Sequence, residues 1–323
     1  MSLPEDYLTY PKRRHGMDHD LYPWSNLFER APIAWPGGAR VALMVMPLVE
    51  YFPLVARDKP FKAPGHMATP YPDLRHYSSR DYGTRVGLFR FLDAFDALGV
   101  KATVAMNAAI ADRYPFVARE VAAAGHEIVA HSTDMNGLQY GGMEEAEERR
   151  LIGDTLDTLE RVAGTRPRGW RSIAQSQSEN TPRLLAEHGV DYVCDWVNDE
   201  LPYPMTPDQM TPDQMTGGQM TGDGRTITAL PANHETSDRQ IFVTCQHSQD
   251  AFVIQLQDQV KLLLKEAESY GGRMMTLTLT PYITGLPYRI RCLKEALSFI
   301  MDQEGVWSAT GSEIIDAAAR HEV

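Results

Sequence analysis

Cysteine is scarce in this chain: Cys194, Cys245 and Cys292 are the only three in 323 residues. An odd number without metal-like spacing does not make a disulfide framework. Long apolar runs are missing too. No segment approaches the ~20 apolar residues of a membrane helix, and Met1 to Arg14 has no run of signal-peptide length. The expectation is a cytoplasmic protein with no membrane partner. Positive charge is also short, with 31 Lys and Arg against 43 Asp and Glu and a net charge of −12. Such a surface repels nucleic acid and anionic membranes on average. Apolar residues are in ordinary supply at 43%, enough for one large core or two domains.

In chain order, residues 1–38 are rich in Pro, Tyr, Trp and charge without periodicity, which predicts an N-terminal arm lying over the domain. The barrel domain is expected over 39–318, with a tail at 319–323. Val41 to Met46 is a continuous apolar run of strand length, and residues 52–80 read as an irregular, proline-rich loop. From Arg85 the period turns helical and closes at Gly99. Further strands are predicted at 101–106, 127–130, 168–171, 191–194, 226–230, 274–279 and 306–307. Helices are predicted at 115–124, about 143–163, from Thr181 to Gly189, 252–270 and about 288–303. Alternating strands and helices imply parallel strands with crossover helices, hence an α/β fold, an incomplete or distorted (β/α)7 barrel. Residues 206–220 are three near-identical pentads, Thr206-Pro-Asp-Gln-Met210 and its two successors. A repeat with no apolar period predicts a mobile surface insertion.

The stretch Gly125 to Asn136 is the most informative. A short apolar strand stops abruptly and delivers His131, Ser132, Asp134 and Asn136 together. Polar residues recur after the other strands: Glu50, Asn107, Arg171, Asp195, Glu235 and Thr280. In a parallel barrel these ends share one face, the face that carries active sites. Taken singly, each could as well cap a strand or pin a loop.

Order and spacing resemble the polysaccharide deacetylase superfamily (NodB homology, carbohydrate esterase family 4). The branch most similar is that of the cofactor-independent allantoinases and related cyclic-amide hydrolases. The resemblance rests on Trp35-Pro-Gly-Gly-Ala-Arg40, Tyr82-Gly-Thr-Arg85, Ala124-Gly-His-Glu127-Ile-Val-Ala-His131-Ser132, Gly169-Trp-Arg171, Asp195-Trp196 and Pro281-Tyr282. It implies a distorted barrel of the NodB-homology type. The metal-dependent relatives hold a divalent ion with one aspartate and two histidines beside an aspartate base. This chain has Glu50-Tyr51 at the first motif, Met135 where the second histidine belongs, and Thr280 before Pro281. One surviving histidine does not make a three-ligand zinc site of the usual kind. No cofactor is therefore expected, although Asp134 or His234 could complete an irregular metal site with His131.

The resemblance implies a hydrolase of a non-peptide carbon–nitrogen bond in a small, cyclic amide, a ureide or imide. Its expected catalytic residues are Glu50 as general base, Arg171 and His131 as donors to the oxyanion, and Asp195 and Glu235 as orienting groups. Tyr51, Arg85, Asn107, Ser132, Trp196, Thr280 and Tyr282 are expected to bind substrate. The only partner expected besides the substrate is a second copy of the chain, in a homo-oligomer. Two other readings stay open: a metal-dependent deacetylase of an N-acetyl sugar, and a binding protein of the same fold without activity.

Overall fold

The structure, a computed structural model, describes residues 21–55, 72–206 and 226–321. Among the described residues nine strands form one sheet: β1 (Val41–Val49), β2 (Thr103–Met106), β3 (Glu127–Ala130), β4 (Gly169–Trp170), β5 (Tyr192–Val193), β6 (Tyr203–Met205), β7 (Ile227–Ala229), β8 (Arg273–Leu279) and β9 (Val306–Ser308). Their order is β6-β7-β5-β4-β3-β2-β1-β8, and β9 pairs with β1. The lower half of β1 lies beside β9, through Val41 and Val306, and its upper end beside β2, through Val49 and Met106. All pairings are parallel except β6 with β7. The predicted strands are all present, the short ones trimmed at their ends; β6 is an addition to them. The sheet curls into a half-barrel. Its open side is bridged by loop contacts, Met274 N–H to Glu200 O at 3.1 Å and Thr276 Oγ1 to Pro231 O at 3.0 Å.

A period of two assigns each strand residue to one of two cores. Val41, Leu43, Val45 and Val49 of β1 face outward and pack beneath the helices. Those helices are Leu88–Leu98, Glu145–Ala163, Gln249–Tyr270 and Ile290–Met301, and their buried stripes (Phe91 and Phe95, Ile152 and Leu156, Leu256 and Val260, Leu293 and Leu297) join the same core. Ala42, Met44, Met46 and Leu48 face inward, with Ala105, Val129, Tyr192, Cys194 and Met274. The bottom of this inner core is closed by Trp35, whose indole N–H donates to Arg273 O at 2.8 Å, and by the helix Gly311–Ala318. That helix starts with a reciprocal capping box between Thr310 and Glu313. Gly169 is required here, since a Cβ would run into the Tyr192 ring.

Two expectations are corrected. The loop expected over 52–80 ends in a helix, Leu74–Tyr82, whose cap is the Asp73 carboxylate accepting from His76 N–H at 2.9 Å. Residues 56–71 of it lie outside the described residues. The helix expected from Arg85 opens with a wide π turn, Gly83–Gly87, before Leu88–Leu98. Of the arm, 21–38 is described: Leu21 and Trp35 are buried, and the Tyr22 ring stands on Trp196 and Tyr203. The insertion expected at 206–220 lies, past Thr206, outside the described residues. Among those described, no helix is long and apolar enough to cross a membrane.

Candidate active site

The site follows from strand parity. After Ala42, Met44, Met46 and Leu48, the next inward position, one residue past the end of β1, is Glu50. Asn107 follows Ala105, His131 follows Val129, and Arg171 follows Gly169 two residues earlier. All four are buried. Parallel strands carry these positions to one end of the barrel, so the apolar lumen is topped by a polar layer.

Glu50 sits at the centre, with 1% of its side chain exposed. One guanidinium nitrogen of Arg239 donates to both of its oxygens, at 3.0 Å to Oε1 and 2.7 Å to Oε2. The Tyr282 hydroxyl donates to Oε2 at 2.8 Å. Burial pushes the Glu50 carboxyl up, but Arg239 foremost, with the Tyr282 hydroxyl and the His131 ring when it is doubly protonated, outweighs it and holds the pKa at about 2. Burial lifts the Tyr282 phenol well above its ordinary value. Arg239 opens the π turn Arg239–Thr244, and the pattern of strand ends gives no hint of it. Its only sequence signal is the adjacent pair Asp238-Arg239 in an otherwise polar connection. Tyr282 lies on the short helix Pro281–Thr284, which packs so tightly on the π turn Gly83–Gly87 that a Cβ on Gly87 would run into the Pro281 carbonyl.

His131 faces Glu50 with Nε2 4.0 Å from Oε1. That is too long for a hydrogen bond and wide enough for one water oxygen bonded to both. The other ring nitrogen, Nδ1, lies 2.6 Å from the Arg171 carbonyl. A carbonyl only accepts, so Nδ1 carries the proton, and in the singly protonated ring Nε2 is a bare acceptor. Nε2 is buried and has no partner among the described residues. The donor role expected for His131 therefore needs the doubly protonated ring.

Asn107 ties three strand ends together. Its Oδ1 accepts from Tyr51 N–H at 2.7 Å, and its Nδ2 donates to the His131 carbonyl. It fixes the spacing of Glu50 and His131 from behind. Arg171 donates to the Cys194 carbonyl and stands 4.0 Å from Asp195. Asp195 accepts from Ser172 N–H and from Gln177 Nε2, each at 2.7 Å, which pins the 172–177 loop. Burial raises its pKa, opposed by Arg171 and these bonds. Ser132, Ala174 and Gln175 have φ of 61°, 54° and 57°. Left-handed backbone at non-glycine residues, gathered on the two loops that follow His131 and Arg171, is held there by the surrounding bonds, such as Ser132 Oγ to Gly137 O at 2.7 Å.

The structure does not bring every expected residue to this cluster. Glu235 is exposed and ion-paired with His234 at 2.8 Å; it lies six residues past β7, too far for strand parity to aim it. Arg85 is 75% exposed and pairs with Asp81 on the outside of its helix. The Tyr51 ring leans on Tyr114 and under the Arg113 guanidinium rather than toward Glu50. Trp196 packs against Tyr22 of the arm. Thr280 is buried, and its N–H donates to Asp238 at 2.7 Å.

A divalent ion of the kind the resemblance raises is not matched by these donors. Glu50 and His131 offer one atom each; Met135 is buried against Phe52, Ile173 and Tyr282, and Asp134 closes a local turn on Asn136 N–H at 2.8 Å. Among the described residues no three His, Cys, Asp or Glu side chains gather as a metal set.

The polysaccharide deacetylase family matches residues 75–193 of the chain. A curated Schizosaccharomyces pombe protein of polysaccharide deacetylase designation is 25% identical over 311 residues, 89% of this chain and 93% of its own. Among solved structures, the Puue allantoinase superposes with a TM-score of 0.75 at 28% identity, over 92% of this chain and 97% of that one. A Pseudomonas aeruginosa PAO1 protein of polysaccharide deacetylase designation gives 0.77 at 26% identity, over 93% and 98%.

Proposed function

We propose that this chain, similar in sequence and fold to the polysaccharide deacetylase superfamily, is a hydrolase of a carbon–nitrogen bond in a small cyclic amide, a ureide or imide. The observation that carries the reading is the buried pair of acceptors, Glu50 Oε1 and His131 Nε2, 4.0 Å apart with no third metal donor beside them among the described residues. A water between them donates one proton to each and turns a lone pair to the substrate. Arg239 and Tyr282 already donate to the Glu50 carboxylate, whose pKa is lowered to about 2, whereas Nε2 of the singly protonated His131 ring is a bare acceptor. The proton of the attacking water therefore passes to His131 Nε2, and the Glu50 carboxylate stabilises the imidazolium. This revises the general-base role expected for Glu50. The water oxygen bonds to the carbonyl carbon, and Arg171, a buried cation of the same cluster, faces the oxyanion. The C–N bond breaks as His131 returns its proton to the departing nitrogen.

So weak a carboxylate and one histidine suit an activated carbonyl. In an imide or ureide the departing nitrogen is stabilised by a second carbonyl; a simple acetamide lacks that help. The reaction so described needs no metal. The family match over residues 75–193 favours a second reading, metal-dependent deacetylation of an N-acetyl sugar. A panel of cyclic ureides and imides, run beside N-acetyl sugars with and without divalent metal, separates the two. Ring opening without added metal supports the first reading; acetate release only with metal supports the second. Binding without turnover of either class would leave a binding protein of this fold.

A further inference from the structure

The two groups that hold Glu50 come from distant parts of the chain, and one side chain joins those parts. Asp238 immediately precedes Arg239. Its Oδ2 accepts from Thr280 N–H at 2.7 Å and from Thr284 Oγ1 at 2.6 Å. Thr280 and Thr284 are the residues on either side of the Pro281-Tyr282-Ile283 turn. One carboxylate oxygen thus fixes the start of the π turn that carries Arg239 against both ends of the turn that carries Tyr282. From behind, the same turn is pressed on Gly87, where there is no room for a Cβ.

We infer that Asp238 is a positioning residue, whose carboxylate sets where Arg239 and Tyr282 meet Glu50 and so keeps Glu50 Oε1 turned to His131. The inference rests on the reading of Glu50 and His131 as the reacting pair. Asp238 is fully buried, and its second oxygen, like Thr280 Oγ1, has no partner among the described residues. Burial pushes its pKa up to about 6 in spite of the bonds from Thr284 and Thr280, with Arg239 the charged group that faces it. A loop that needed only to be closed could be closed by a hydroxyl at lower desolvation cost. The carboxylate is what reaches two donors with one oxygen while balancing the adjacent arginine.

The test is Asp238→Asn in the full chain with 3-fluorotyrosine at position 282, compared with Leu156→Ala, a destabilised control in the outer core. Expected are a displaced fluorine resonance and a kcat lower by on the order of 10²-fold with KM within about threefold, the loss that follows a small misplacement of reacting groups. Leu156→Ala should lower the melting temperature without moving the resonance. Thr284→Val keeps the carboxylate and removes one of its donors; it should move resonance and kcat in the same direction by less, and it decides the matter if Asp238→Asn does not fold. An unmoved resonance and unchanged kcat in folded Asp238→Asn, or in Thr284→Val in its place, would overturn the inference. Should no cyclic amide be turned over by the parent, the functional reading fails, while the resonance alone still decides whether Asp238 places Tyr282.

Discussion

Arg239 sets one guanidinium nitrogen against both carboxylate oxygens of Glu50, at 3.0 and 2.7 Å. The charge of Glu50 is therefore matched inside the barrel, and the edge of Oε1 left over faces His131. Arg239 is a quarter exposed, whereas Glu50 is sealed. The pair is an ion pair with one wet end.

Glu50→Gln separates chemistry from support. Glutamine keeps the shape but leaves Arg239 without its counter-charge, which for a buried pair costs about 3–5 kcal/mol, less here because one partner is partly solvated. Turnover per folded molecule should fall ~10²–10⁴-fold, because the imidazolium loses its anion. Melting temperature and turnover measured on one preparation check both. Turnover within threefold of the parent would remove Glu50 from the mechanism.

Acid should change the protein's stability in two pH windows of opposite sign. Glu50 has its folded pKa lowered from 4.5 to about 2, so its contribution, on the order of 3 kcal/mol, is complete above ~4.5 and is lost as pH falls from there toward 2. Asp238 is raised from 3.8 to about 6, so its cost is present at neutral pH and is relieved as pH falls from 6 toward 3.8. Denaturant midpoints against pH should show Glu50→Gln flattening the slope below 4.5 and Asp238→Asn flattening it between 6 and 4. Parallel curves for parent and variants would deny both shifts.

Arg85→Ala and Glu235→Ala should leave turnover within about threefold of the parent. Both side chains are exposed, and their ion pairs, with Asp81 and His234, are of the solvent-screened kind worth ~0–1 kcal/mol. A tenfold loss of kcat in either would place it in the site after all.

These two residues show where the sequence was and was not legible. Glu50, Asn107, His131 and Arg171 could be found because a strand's period of two carries a residue's direction past its end, and each stands one or two residues beyond an apolar run. Glu235 has no such guide, six residues beyond β7. Arg85 stands in a motif that resembles the family's, but helical spacing turns it to solvent. Arg239 left no trace in periodicity, because a six-residue π turn is too short to show one, and its partner is 189 positions away. The helix Leu74–Tyr82 was hidden by composition: His76 and Arg80 are its buried residues, so it has no apolar stripe. Strand β6, three residues with Pro204 at their centre, falls below any sequence signal.

Gly87→Ala should damage the site from a distance. Its Cβ would meet the Pro281 carbonyl, a backbone atom that cannot turn aside, and the turn carrying Tyr282 would have to move. The expected outcome is a loss of stability of about 1–3 kcal/mol with a fall in kcat larger than any change in KM. Thermal unfolding and steady-state kinetics on the variant check it; a stable variant with full kcat would show that the contact has slack.

The central claim is hydrolysis by the Glu50–His131 pair without a metal ion. Its most direct test is turnover of a cyclic-ureide and imide panel by chelator-treated protein whose metal content has been measured, run beside His131→Gln. The account predicts ring opening that survives removal of metal and falls ~10²–10⁴-fold in His131→Gln. Activity that vanishes with the metal and returns with one equivalent of a divalent ion, or that is unchanged in His131→Gln, would contradict it.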